Sequence, residues 1–238
     1  MGIKQLFVSI LLTVVISKAN AHALWIETNP IGIPHKNHEV KVFFGEYGSN
    51  ERDTTAKWFS NLRDFTLWVT TPSGKKQQLT NTAAIDFCKA GFITEETGIY
   101  TLSISLEVRD PYRKSKIQYY ASATVSVGAS AAGNGNIIQA TDVALQTKSN
   151  IIKTGTPITI NLFLKGQLLA NSKISIASPT GIKTDMETDA NGAISFTPNE
   201  AGTYMLEGFY IVKENGMQNG KEYTSIFHCI TTCVYVRK

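Results

Sequence analysis

The sequence predicts an all-β protein of two tandem β-sandwich domains joined by a short flexible linker. Three observations carry that expectation. Segments such as Glu39-Val40-Lys41-Val42-Phe43-Phe44 and Phe65-Thr66-Leu67-Trp68-Val69-Thr70, and the run 157–164, are rich in β-branched and aromatic residues and are punctuated by Gly, Pro, Asn and Asp. Between 129 and 136 every residue is Ala, Gly, Ser or Asn, which cannot fill a core and suits a flexible linker. The halves on either side repeat each other. Thr71-Pro72-Ser73-Gly74-Lys75 is matched by Ser178-Pro179-Thr180-Gly181-Ile182, and the spacing from Phe92 to Gly98-Ile99-Tyr100 by that from Phe196 to Gly202-Thr203-Tyr204. Two copies of one β-unit is the simplest account.

Taken in order, residues 1–21 read as a signal peptide. Lys4 supplies a basic start, 6–16 form an apolar run too short to cross ~30 Å of hydrocarbon as a helix, and Ala19-Asn20-Ala21 is a small-x-small cleavage site. Cleavage after Ala21 leaves His22 as the first residue of a periplasmic or secreted chain. The N-terminal domain, 22–128, contains one ambiguous stretch, 50–61, which is polar and reads as a loop with a helical turn. It closes on the apolar strand 121–127. After the linker, 129–136, the C-terminal domain, 137–238, follows the same order and closes on 230–236. In both, Pro fixes φ and Gly accepts a positive φ at the turn. The Gly-x-Tyr corner then starts a long strand whose tyrosine can bury its ring and satisfy its hydroxyl on nearby backbone. Asp189-Ala190-Asn191-Gly192 suits a hairpin turn and has too few acids for a calcium loop.

Removing 21 residues from 238 leaves 217, and losing Lys4 and Lys18 leaves 21 Lys and Arg against 19 Asp and Glu. That balance, without a basic stripe interleaved with aromatics, excludes a nucleic-acid binder. No second long apolar run follows, so the mature chain is expected to have no transmembrane segment. The three cysteines, Cys88, Cys229 and Cys233, cannot all pair within the chain. Cys229 and Cys233 would stand about 13 Å apart along a strand, beyond the ~7 Å reach of a disulfide, so buried free thiols are expected. There is no Gly-x-Ser-x-Gly elbow, His-Glu-x-x-His pair, phosphate loop or dinucleotide fingerprint, so the chain is expected not to be an enzyme.

The start His22-Ala23-Leu24-Trp25-Ile26-Glu27-Thr28 and the strand Lys41-Val42-Phe43-Phe44-Gly45-Glu46-Tyr47 resemble the bacterial exported family catalogued as domain of unknown function 4198. That family is similar to the periplasmic component associated with nickel and cobalt uptake, and the resemblance spans essentially the whole mature chain. Through Gly181, Thr188-Asp189, Gly192, Phe196 and Gly202-Thr203-Tyr204 the second half also resembles transthyretin-like and carboxypeptidase-regulatory modules. The expected domains are therefore immunoglobulin-like/transthyretin-like sandwiches. The resemblance implies a cell-envelope protein with a metal role and a metal transporter component as partner.

The residues themselves suggest where an ion would sit. An N-terminal His22 offers its α-amine and its Nδ1 to one ion, and nitrogen donors suit nickel, cobalt, copper or zinc. Two nitrogens alone bind weakly, so a third ligand is needed: His228 first, Glu46 second. Competing readings stand beside these. His228 shares a face with Ile226 and Ile230, and its first reading is a core histidine with its ring nitrogens hydrogen-bonded. Glu46 lies in the apolar row of Val40, Val42 and Phe44, so it is either past the strand end or buried with a partner. His35 and His38 read as solvated turn residues. The alternative function is a structural or adhesive module binding a protein or glycan surface. An exposed aromatic patch drawn from Trp25, Trp58 and Trp68 would favour it.

Overall fold

The computed structural model describes residues 22–128, 141–147 and 151–238, so the expected signal peptide and the linker 129–136 lie outside the described residues. The first half contributes β1 (Ala23–Thr28), β2 (Ile31–Gly32), β3 (Asn37–Glu46), β4 (Glu51–Arg52), β5 (Leu67–Thr70), β6 (Lys76–Leu79), β7 (Thr82–Ala83), β8 (Cys88–Ile93), β9 (Gly98–Glu107) and β10 (Ser115–Val127). The second contributes β11 (Val143–Thr147), β12 (Ile151–Lys153), β13 (Ile158–Leu164), β14 (Gln167–Leu168), β15 (Lys173–Ala177), β16 (Lys183–Glu187), β17 (Ala193–Phe196), β18 (Gly202–Gln218) and β19 (Lys221–Arg237). The fold is all-β, as the alternating and β-branched patterns predict. Two 3₁₀ turns, Thr55–Lys57 and Leu62–Asp64, lie in and just after the stretch that the sequence left ambiguous.

The strands form three sheets. One runs β1-β3-β8-β7, with β4 beside the end of β3. A second runs β16-β15-β18-β19-β10-β9-β5-β6, and the third runs β11-β13-β14 with β17 on β13. The first sheet covers the β5, β9 and β10 end of the large sheet. Leu24, Ile26, Val42, Phe44, Leu67, Leu102, Ile104 and Val125 fill the space between them. The third sheet covers the opposite end, and Leu145, Ile160, Leu162, Ile174, Ile176 and Leu206 fill a second core.

The predicted repeat is present down to its hydrogen bonds. In each turn the fourth residue's N–H donates to the first carbonyl, Gly74 to Thr71 (2.9 Å) and Gly181 to Ser178 (3.0 Å), with glycine φ of 87° and 85°. The Tyr100 hydroxyl accepts from Glu96 N–H (2.6 Å) and donates to Glu96 O (3.1 Å); Tyr204 does the same with Glu200 (3.2 and 3.3 Å). The rings of Phe92 and Phe196 lie 5.3 and 5.7 Å from those tyrosines.

A strand pairing joins the halves. β10 pairs in parallel with β19, from Ser115↔Ser225 to Ser122↔Thr232. β18 and β19 form one long hairpin. Its base, with Tyr204, Leu206, Ile230 and Val234, belongs to the second core. Further out, Phe209, Phe227 and Cys229 pack into the first. All three cysteines are free thiols, with Cys88 and Cys229 buried. No helix among the described residues is long and apolar enough to cross a membrane.

Candidate metal centre

The short strand β4 folds back on the end of β3, pairing Arg52 with Gly45 and Glu51 with Glu46. Gly45 is required at that crossing: its φ is +150°, and any Cβ would run into the Glu51 carbonyl. Along an extended segment, successive side chains leave on opposite faces. Arg52 turns to one side, donates to Glu27 Oε1 (2.9 Å) and lies over the rings of Phe43 (4.7 Å) and Trp25 (5.6 Å). The acid-base-acid order Glu51-Arg52-Asp53 therefore sends both carboxylates to the other side. Asp53 is fixed through its backbone. Its N–H donates to Phe44 O (2.9 Å), and its carbonyl accepts from Trp58 Nε1 (3.1 Å).

His22 meets those carboxylates from the start of β1. Its carbonyl accepts from the Tyr119 hydroxyl (3.4 Å), its ring rests on Phe44 (5.5 Å between centroids), and its Nε2 is 3.7 Å from Asp53 Oδ1. His22, Glu51 and Asp53 each offer one ligand atom, all within 4.8 Å of one another. A tetrahedral ion about 2.1 Å from each donor holds donors roughly 3.4 Å apart. The His22–Asp53 contact is close to that spacing. Glu51 is exposed and can close the remainder by rotamer change. One imidazole and two carboxylates make a mixed N/O donor set, suited to zinc, nickel, cobalt or copper.

His22 and Asp53 also edge a groove of about 650 Å³. Its walls include Phe44, Phe59, Ile117, Tyr119 and Phe227, and Lys57 and Arg113 also line it.

The structure gathers His22 with Glu51 and Asp53, not with the third ligands expected from sequence. Phe227 faces the groove, so the next residue on β19, His228, leaves the opposite face. There its ring sits between Tyr120 (5.8 Å) and Tyr210 (6.1 Å), and its Nδ1 has no protein partner. Burial, then the positive charges of Lys165 and Lys116, hold its pKa below the usual imidazole range. Glu46 is 3 % exposed and committed to the Lys183 ammonium of the second half. His38 is not a solvated turn residue; it is buried in β3, with Nε2 2.8 Å from Thr28 Oγ1. Trp25 and Trp58 are core residues, so the tryptophans make no exposed patch. Glu51 and Asp53 escaped the sequence reading because they stand in a polar stretch. The available signal was their alternation about Arg52.

Against solved structures the chain is similar to a DUF4785 family protein from Legionella pneumophila, at 10% identity and TM-score 0.32, covering 77% of this chain and 52% of that one. The chain thus spans about half the length of that relative. It is also similar to the fibronectin(III)-like modules of Clostridium thermocellum CbhA, at 8% identity and TM-score 0.24, covering 90% of this chain and 94% of that one. No curated protein matches. The model of the family described as domain of unknown function (DUF4198) matches residues 19–211, most of the chain, and the protein belongs to that family.

Proposed function

We propose that the protein is an exported cell-envelope protein that binds a divalent ion of the nickel, cobalt, copper or zinc group at His22, Asp53 and Glu51. It holds and presents the ion rather than acting as a catalyst, and a metal transporter component is the partner such a carrier would serve. One observation carries this reading: an imidazole just before β1 and two carboxylates at β4 offer ligand atoms within 4.8 Å of one another. A bound ion would neutralise the two carboxylates, and three protein donors leave a coordination position for a further ligand.

The α-amine of a processed His22 offers a different site. It chelates through Nδ1, whereas the nitrogen turned toward Asp53 is Nε2. One ion cannot use both arrangements, and the carboxylate arrangement is the one this reading adopts. Calorimetric titration of Ni(II), Co(II), Cu(II) and Zn(II) separates them. The protein should be compared beginning at His22, carrying one extra residue before it, and as Asp53→Asn. The extension should change affinity less than about twofold, while Asp53→Asn should cost roughly tenfold or more. If the extension abolishes binding and Asp53→Asn does not, the amine chelate holds the ion. Absence of binding to all four ions removes the reading.

A further inference from the structure

We infer that the groove beside His22 holds the ion's remaining ligand, an organic anion with a flat apolar body and a chelating nitrogen. The inference rests on the metal-binding reading above. His22 and Asp53 belong both to the ligand cluster and to the groove lining, so a molecule in the groove abuts the ion's open position. The volume, about 650 Å³, lies within the range of small-molecule sites.

Wall chemistry selects the body of the ligand. Phe44, Phe59, Tyr119 and Phe227 line it, and Phe59 remains 39 % exposed, an aromatic surface that a flat apolar group would cover. Charge selects its sign. Lys57 and Arg113 line the groove, and neither is ion-paired among the described residues. The acid in the lining, Asp53, is a ligand whose charge the ion neutralises. A carboxylate on the incoming molecule therefore meets two cations outside any ion pair among the described residues, with Arg113, now over the Tyr112 ring (5.2 Å), able to bind it bidentately.

Quinoline-2-carboxylate has this chemistry and serves as the probe. Protein beginning at His22 is equilibrated with Ni(II), titrated with the probe and ultrafiltered, and the retained probe and nickel are both measured. One probe should be retained per ion, with affinity falling roughly tenfold or more when Ni(II) is omitted. Arg113→Gln and Phe59→Ala should each weaken probe binding by about tenfold and leave affinity for Ni(II) alone unchanged. Naphthalene-2-carboxylate, with the same body and charge but no ring nitrogen, should bind at least about tenfold more weakly. Equal binding of the two probes, or binding indifferent to Ni(II), would make the groove a plain apolar-anion site and overturn the inference. So would a probe that strips nickel from the protein or is not retained, or a groove occupied by a second copy of the chain on gel filtration. In those cases the metal reading survives on its own titration. Failure to bind Ni(II) at the first step removes both.

Discussion

Glu207 is a carboxylate buried beside another carboxylate. It is 3 % exposed and accepts from the Cys229 thiol at 3.8 Å. Burial and then the nearby Glu46 raise its pKa to about 7; Lys183 and the thiol oppose the rise, and Asp185 adds to it. A raised carboxyl binds a proton in the fold that the unfolded chain has already released. Its contribution to stability is therefore complete below the ordinary glutamate range and is lost as pH rises through about 7. Glu207→Gln keeps the shape and removes the titration. Relative to wild type, it should gain on the order of 2–3 kcal/mol between pH 5 and pH 8, measured by urea unfolding at both. A gain that does not change with pH would refute this account. The sequence flagged Glu46 as misplaced in an apolar row, but its partner Lys183 lies 137 residues away, beyond any local pattern. The period-two pattern did place His228 on the apolar face of its strand, where the structure has it between Tyr120 and Tyr210. It gave no sign that Glu51 and Asp53 would meet His22. That meeting depends on β4 folding back over Gly45, a tertiary contact.

Among the elements, the two Pro-x-Gly turns and Gly-x-Tyr corners were fully legible, because each depends on residues close in sequence. Gly98 and Gly202 have φ of +138° and +137°, and a Cβ on either would come 2.6 Å from Pro72 Cβ or Pro179 Cγ. Gly98→Ala and Gly202→Ala should therefore each destabilise by about 2 kcal/mol or more, combining backbone strain with the clash. Scanning calorimetry should show a melting temperature lowered by roughly 4–8 °C. Tyr100→Phe and Tyr204→Phe should cost less, about 1–2 kcal/mol, because they leave the backbone groups of Glu96 and Glu200 without their buried partner. Full stability in the alanine variants would mean that the proline contact is not made. The repeat extends one residue further than the motif: Glu96 accepts from Ser73 N–H and Oγ (2.9 Å each), as Glu200 does from Thr180 Oγ1 (2.9 Å).

For the molecule as a whole, the sequence showed two β-rich halves but not how they meet. The segments 121–127 and 230–236 each read alone as the closing strand of its own half. A parallel pairing between residues 110 apart leaves no mark on either. Its trace is indirect: β19 carries apolar residues on both faces because it serves both cores. A protease site placed in 129–136 tests the consequence. After cleavage the halves should still co-elute on gel filtration and separate only in denaturant, because the eight-pair ladder from Ser115↔Ser225 to Ser122↔Thr232 survives the cut. Separation in native buffer would show that ladder to be too weak to hold them. The same ladder imposes an order on biogenesis. Ribosomes make β10 more than a hundred residues before the strand that pairs with its 115–122 segment. Until 225–232 emerge, that segment presents unpaired amides and carbonyls, a template for pairing with another chain. A chain truncated before 225 is therefore expected to carry an open sheet edge along 115–122.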